Sequence, residues 1–517
     1  MAWYSFAAVG YEGRLVAIEV DIRRGIPGMD IVGLPGPAVR EARERIRVAM
    51  RKSGFEFPKD RMLVNLSPAD LPKAGCSYDL PIALAVLEAS GQIPALGTRF
   101  LALGELSLSG DVRAVAGTLS AVAAASAAGM SVFFVPRPNL REARSLCRGD
   151  VYGLDSLKEA VGLLHLVARG EAVPGELAEA PSVAESGESF DDILGQDFLK
   201  RAALVAAAGR HNLFLFGPPG SGKTMAATRM SSILPPLSRR EALEVTRIYS
   251  LAGLLPEDSG LVKRRPFRCP HHGASREGLT GGGKSQLPGE VSLAHYGILF
   301  LDEAAEFPRN VLQTLREPLE SHRIALTRAG QKSWFPSDFQ LVLASNPCPC
   351  GNLGREEKVC MCSQEELFRY WRRLGGALLD RVDIRFPLVP SGWPATGMTP
   401  GLSGAEPAVS AGDMKAEKMR ERVAMAAEIQ ERRNGNWNSR INPAGLKAFC
   451  QLMPAEEEIL KKAAVKLGLS GRAVVSALKV ARTIADLAMC PRIEKAHLLE
   501  ALQYRRYGDG DNVWTGS

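Results

Sequence analysis

Residues 211–230, HNLFLFGPPGSGKTMAATRM, decide the fold. Leu213 to Phe216 form an apolar run of strand length, followed at once by a glycine-rich loop of Gly217, Pro218, Pro219, Gly220, Ser221 and Gly222. Lys223 and Thr224 then open a helix. The pattern G-x-x-x-x-G-K-T, set between a buried strand and a helix start, is a phosphate-binding loop. Backbone N–H groups of such a loop, with the helix N-terminus, cradle phosphate oxygens. Lys223 would reach the β- and γ-phosphates of ATP, and the Thr224 hydroxyl would ligate Mg2+.

Two more apolar strands end in polar residues. GILFLDEAAEF (297–307) closes on two carboxylates: Asp302 would hold the Mg2+ ion and Glu303 would polarise the attacking water. FQLVLASNP (339–347) carries Asn346 at its tip, a position suited to sensing the γ-phosphate. Together these segments predict an ATPase with an α/β core. GALLDRVDIRF (376–386) sets Arg381 between a helix end and a strand, and Arg472 stands near a helix start in LSGRAVVSALKVARTIADL (469–487). For either arginine taken alone, a structural salt bridge is the default reading.

The chain of 517 residues is 46% hydrophobic and 23% charged, an ordinary balance that excludes global disorder. Its formal charge of +7, from 64 Lys+Arg against 57 Asp+Glu, permits nucleic-acid binding without arguing for it. No charged n-region and apolar h-region open the sequence, so no secretory signal is expected. Ala114 to Val135 is uncharged and about long enough to span a bilayer. Its Ala, Ser and Gly content fits a buried helix followed by a strand better, and no membrane association is expected. Nine cysteines without an export signal point to thiols in a reducing, cytoplasmic setting.

Composition divides the chain. Residues 1–168 alternate short strands and helices. Residues 169–189 are small, acidic and aperiodic, a linker. The ATPase motifs fill 190–390, and 391–412 is a second Pro/Gly/Ser-rich linker. Residues 413–517 show helical apolar spacing throughout.

Longer motifs carry a resemblance. FRCPHHGAS, GGGKSQLPGEVSLAHYGILFLDEAAEF, LREPLES, NPCPCG, LLDRVD and ARTIADL are similar to the magnesium-chelatase branch of the AAA+ ATPases. With VGLPGPAVREARERIRVAMRKSGFEFP and VNLSPADLPKAG near the N-terminus, the match extends over nearly the whole chain and resembles the YifB/ComM family. The resemblance implies an AAA+ core followed by a helical lid, with Arg381 as arginine finger and Arg472 as sensor-2 arginine. A finger acts on a neighbour's nucleotide, so a homo-oligomeric ring, a hexamer in this family, is implied. So is a DNA motor that promotes branch migration during natural transformation.

Two features would give that motor a grip on single-stranded or branched DNA. HRIALTRAGQKSWFPSDF reads as a hairpin with Arg328 and Lys332 around Gly330. Related ring helicases project such a basic hairpin into the pore, where it tracks phosphates without reading sequence. The insertion at 253–290 adds Lys263, Arg264, Arg265 and Lys284. An ordinary solvated basic loop is the alternative. Trp334 and Phe335 keep open a second function, a chelatase-type or remodelling ATPase that grips a protein partner.

NPCPCGNLGREEKVCMCS holds Cys348, Cys350, Cys360 and Cys362 as two C-x-C pairs. Four thiolates brought together by a turn can close a tetrahedral structural Zn2+ site. The spacing is tighter than the usual C-x-x-C, and unligated thiols are the alternative. The other cysteines, Cys76, Cys147, Cys269, Cys450 and Cys490, are scattered and expected to be structural. His271 and His272 lie beside Cys269 without a clear ligand pattern.

AGCSYDLPIAL (74–84) presents Ser77 after a turn of Pro72, Lys73 and Gly75, as Lon-type proteases present their nucleophile. A serine needs a neighbouring base to become nucleophilic. In the Lon-like frame GELSLSGDVRAVAGTLSAVAAASAAGMSVFFVP, Leu119 stands where the family's lysine base is expected, and no lysine occurs between Lys73 and Lys158. The first domain therefore resembles a Lon-protease (S5-like) α+β fold with a broken dyad, a scaffold and not a peptidase.

Overall fold

The computed structural model describes residues 3–95, 97–147, 149–169, 189–283, 286–328, 331–353, 355, 358–388 and 414–507. The linkers expected at 169–189 and 391–412 lie outside these residues except for Arg169 and Ser189.

In the N-terminal region a seven-stranded mixed sheet runs in the order Gly28–Val32, Arg61–Ser67, Glu12–Arg23, Trp3–Val9, Phe100–Ala102, Val132–Pro136, Asp150–Leu154. Asp79–Ala89, the helix after the Ser77 turn, is buried along almost its whole length, so it reads as an unbroken apolar run and not as an amphipathic one. The uncharged stretch from Ala114 becomes the helix Thr118–Ala127 and the buried strand Val132–Pro136. Among the described residues no helix is long and apolar enough to cross a membrane.

The central region is built on five parallel strands in the order Phe267–Arg268, Ile298–Leu301, Gln340–Ser345, Leu213–Phe216, Ile384–Pro387. ILFL, QLVLAS and LFLF are buried at every position, the pattern of central parallel strands covered on both faces. The phosphate-loop strand lies between the Asn346 and Arg381 strands, and the Asp302 strand is one place further out.

Beyond residue 413 the described chain is helical: Ala416–Asn434, Pro443–Phe449, Pro454–Leu467, Gly471–Leu487 and Lys495–Gln503. These helices share one apolar core with Asp197–Gly209 and the central strands, through Met419, Val423, Val480 and Ile484. Charged ties lock the same interface. Arg201 forks onto Glu500 at 2.9 and 3.1 Å, and Arg440 bonds the Asp338 carboxylate.

The N-terminal sheet also docks on the central region. Phe6, Tyr11, Leu101 and Phe133 join Ile248, Leu251, Leu293 and Phe335 in one core. The Tyr11 N–H donates to the Trp334 carbonyl at 2.9 Å, the Tyr11 and Trp334 rings lie 5.3 Å apart, and Arg247 stacks 4.3 Å over Tyr11. This corrects the reading of Trp334 and Phe335 as substrate-gripping residues. Phe335 is 1% exposed, and Trp334 is held between Tyr11 and Arg323.

Candidate functional site

Parallel strands end at one edge, and polar residues that follow them converge there. Gly217, Asp302 and Asn346 all stand at that edge. A Cβ on Gly217 would lie 2.4 Å from the Leu388 carbonyl, so only glycine fits. Gly220 and Gly222 turn the loop with φ of +82° and +87°. The Lys223 ammonium donates to the carbonyls of Gly217 (2.7 Å) and Pro218 (2.9 Å) and to Asn346 Oδ1 (3.3 Å). Burial pushes this ammonium down to about 8, against the attraction of Asp302. Among the described residues the buried Ser221 hydroxyl has no partner, an unsatisfied group inside the phosphate loop.

The Thr224 hydroxyl donates to Asp302 Oδ2 at 2.7 Å. Two oxygens sharing an octahedral Mg2+ ion stand about 3 Å apart, so this pair fits the ion with little movement. Glu303 is exposed, in a left-handed conformation (φ +48°), with its N–H on Asp302 Oδ1 at 2.9 Å. His272 Nδ1 lies 3.6 Å from Glu303 Oε2. That neighbour was missed in the sequence. It arises because Phe267–Arg268 pairs in parallel with Ile298–Leu301, so the residues after both strands emerge side by side. His271 lies against His272, their ring centroids 4.0 Å apart, and accepts from the Gly273 N–H.

Arg381 and Arg472 meet on one carboxylate. Both bond Glu320, Arg472 at 2.5 Å, and the Arg472 bond is the main cause holding the Glu320 carboxyl below its ordinary value. Ser470, the cap of the Arg472 helix, donates to Asp380 at 2.8 Å. Arg381 precedes its strand, its carbonyl accepting from Asn212 Nδ2 at 2.9 Å, whereas the phosphate loop follows the adjacent strand. The two therefore lie at opposite edges of the sheet, separated by four strand residues, about 13 Å.

The four clustered thiols converge. Cys348 and Cys350 lie 3.4 Å apart, Cys350 and Cys360 3.6 Å, and Cys360 and Cys348 3.7 Å; Cys362 completes the group. Tetrahedral Zn2+ with thiolate bonds of about 2.3 Å spaces its sulfurs about 3.8 Å apart. The donor set and spacing fit Zn2+. A second grouping, Cys490, Glu494 and His497, was not read from sequence. Glu494 and His497 are occupied there in a reciprocal helix cap.

The basic residues separate into two sets. Lys263, Arg264 and Lys332 are exposed. Arg265 is not: its side chain is 5% exposed and forks onto Glu241 at 3.0 and 3.1 Å while donating to the Pro235 and Tyr296 carbonyls. This corrects its reading as a DNA-facing residue, because Glu241 is the reciprocal cap of the helix Arg239–Leu251 and Arg265 braces it. The hairpin forms from Arg323–Arg328 and Gln331–Pro336, with Thr327 opposite Lys332. Lys284, Gly330 and the Arg328 side chain lie outside the described residues.

At the serine turn, Ser77 is half-buried and its carbonyl accepts from the Gly104 N–H at 3.2 Å. Lys73 is fully buried with its ammonium on the Pro68 carbonyl. Leu119 is 1% exposed, and its N–H donates to the buried Glu142 at 3.0 Å.

Comparison with known proteins adds to this geometry. Residues 189–392 match the family described as magnesium chelatase, subunit ChlI. Residues 18–139 match subunit ChlI of Mg-chelatase, and residues 413–505 match the C-terminal family of the same subunit. The YifB protein of Salmonella typhimurium is 42% identical over 506 residues, 96% of each chain. Competence protein ComM of Haemophilus influenzae is 41% identical over 511 residues, 97% of this chain and 96% of its own. Lon protease 2 of Bacillus subtilis is 25% identical over 196 residues, 34% of this chain and 35% of its own.

Proposed function

The chain belongs to the YifB/ComM family of magnesium-chelatase-like AAA+ proteins, and from that premise we propose that it is a ring-forming ATPase that moves DNA. The family implies ATPase activity. In our reading, residues 1–168 are a Lon-like domain without peptidase activity, 190–390 the motor core and 413–517 its lid. Gly217 to Thr224 hold ATP, Thr224 and Asp302 hold Mg2+, Glu303 directs the attacking water and Asn346 reads the γ-phosphate.

One observation carries the ring. Arg381 and Arg472 share Glu320 at the sheet edge opposite their own phosphate loop. A cation there cannot serve its own nucleotide but can serve that of a neighbouring subunit, as an arginine finger does. Glu320 would hold both guanidinium groups parked until a neighbour's phosphates replace it. We take the ring to be a hexamer.

The competence name of one relative, the hairpin bearing Lys332 and the exposed Lys263 and Arg264 support DNA as the moving partner. Single-stranded or branched DNA and branch migration during natural transformation complete the proposal, with zinc in the cysteine cluster and the reducing cytoplasm as the setting. The protein-remodelling alternative loses its best support, since Trp334 and Phe335 are spent on the N-terminal region.

The test is steady-state ATP turnover with and without single-stranded and four-way-junction DNA. DNA should raise the rate, and raising the salt should erase the effect, because phosphate contacts release counterions. An Arg328→Ala/Lys332→Ala variant should keep basal turnover and lose the stimulation. Turnover indifferent to DNA at every salt concentration would overturn the DNA reading and leave an ATPase with a protein client.

A further inference from the structure

The cysteine cluster does not stand apart from the motor. It begins two residues after Asn346, whose Oδ1 accepts from the Lys223 ammonium at 3.3 Å. The loop that carries the thiols then folds back over the phosphate loop and touches it twice at Pro219. Arg355 donates to the Pro219 carbonyl at 3.1 Å. Gly351, turned by a φ of +73°, packs so closely that a Cβ there would stand 3.1 Å from the Pro219 ring. On its other side the strand exit is pinned by Trp371, whose indole N–H donates to the Pro347 carbonyl at 3.1 Å. Cys348 is fully buried at this junction and accepts from the Leu353 N–H at 3.3 Å.

Among the described residues, Gly351 and Arg355 both lie between Cys350 and Cys360. Turn hydrogen bonds shape the described part of this loop, the Gly351 N–H donating to the Cys348 carbonyl at 3.1 Å and the Arg355 N–H to the Asn352 carbonyl at 3.0 Å, and the converging thiols bring its two ends together. Four thiolates on one ion would close them, which gives the metal a task beyond local folding. We propose that the metal centre formed by Cys348, Cys350, Cys360 and Cys362 is a clamp on the phosphate loop, and that Arg355 is the positioning residue through which it sets nucleotide affinity. With the clamp closed, Pro219 is fixed from outside, the loop N–H groups stay aimed at the phosphates, and a guanidinium stands beside the incoming charge. With it open, the loop must be ordered by the nucleotide itself, and that ordering is subtracted from the affinity.

This inference rests on the zinc reading, so the experiment separates the two. The full-length protein, purified without chelator under reducing conditions, is assayed for metal by elemental analysis and by release to a chromophoric chelator on thiol modification. Binding of a fluorescent ADP analogue with Mg2+ is then compared for native protein, a Cys360→Ser/Cys362→Ser variant and Arg355→Ala. One zinc per native chain is expected. The cysteine variant should lose zinc and bind about tenfold more weakly, the scale of one charge-assisted hydrogen bond. Arg355→Ala should keep zinc and show a loss of similar size. If the cysteine variant does not fold, the same titration on native protein stripped of metal by a chelator decides the matter, an unchanged affinity overturning the clamp. Native affinity in either variant overturns the clamp. Native protein that holds no metal and titrates four free thiols in the cluster overturns the zinc reading beneath it.

Discussion

The phosphate loop and the Ser77 turn are built alike and end differently. Each is a small-residue turn that follows a strand region and opens a helix, buried along most of its length after Ser77 and half-exposed after the phosphate loop. At the phosphate loop, polar groups converge and keep capacity in hand. Ser221 is buried without a partner among the described residues, Lys223 rests on carbonyls that phosphate oxygens can replace, and Thr224 and Asp302 stand one ion's edge apart. In the N-terminal region the charged groups are consumed internally, while the buried Tyr78 hydroxyl has no hydrogen-bond partner among the described residues. Lys73 is capped by Pro68, Asp79 by the Arg45 fork at 2.9 and 3.1 Å, and Glu142 by Leu119 and Ser250. A site keeps its chemistry when its polar groups are left for a ligand. When its charged groups satisfy one another, the same shape has none left for a ligand.

The largest effect should come from the sheet edge opposite the phosphate loop. Arg381→Ala should lower ATP turnover about 10³-fold, the usual worth of an arginine finger, with nucleotide binding retained. Lys223→Ala should be as inactive for the opposite reason, since its own cradle is lost. Mixing the two inactive proteins should restore turnover, because some interfaces then pair an intact Lys223 with an intact Arg381. Mixtures that stay inactive at every ratio would mean that each subunit supplies its own arginine, and the ring argument would fail.

What was legible in the sequence follows from chain continuity. Gly217 to Thr224, Asp302 and Asn346 could be named because each lies in a contiguous strand-and-tip motif, and parallel strands bring their tips to one edge without further information. The meeting of Arg381 and Arg472 on Glu320 could not be read, because it joins three segments whose spacing along the chain carries no distance. Arg265 misled for a related reason. In the run Lys263-Arg264-Arg265 it looks like its neighbours, yet its partner Glu241 lies more than twenty residues earlier. The signal was present in Ser238-x-x-Glu241, a helix-cap pattern that leaves a carboxylate needing a cation. Trp334 and Phe335 misled because an aromatic pair beside a basic hairpin looks exposed until the residue covering it, Tyr11, is known.

A smaller effect sharpens the contrast at the junction of the two regions. Glu142 accepts from the Ser250 hydroxyl and the Leu119 N–H, both at 3.0 Å, and burial pushes its carboxyl up to about 7. The folded chain therefore keeps a proton that the unfolded chain releases near its ordinary value of 4.5. Stability from this group is fully present below that value and is lost as pH rises through about 7. The loss is at most about 3 kcal/mol. Glu142→Gln keeps an acceptor oxygen and removes the titration. Chemical denaturation at pH 5 and pH 8 should show the native protein losing stability with pH and the variant losing less. Equal slopes would mean that the carboxylate is ionised without penalty and that the junction is wetter than its packing.

The smallest expected effect bears most directly on what the N-terminal region has become. Ser77→Ala should leave ATP turnover, its response to DNA and thermal stability unchanged, and neither protein should cleave an unfolded casein substrate with ATP present. Among the residues of its own turn no free base faces the hydroxyl: the ammonium of Lys73 is turned onto Pro68, and Leu119, expected from the sequence at the Lon-type lysine position, is an apolar side chain 1% exposed. ATP-dependent cleavage lost specifically in Ser77→Ala would show that another group acts as the base. The distinction between spent and unspent polar groups would then fail where it is most exposed.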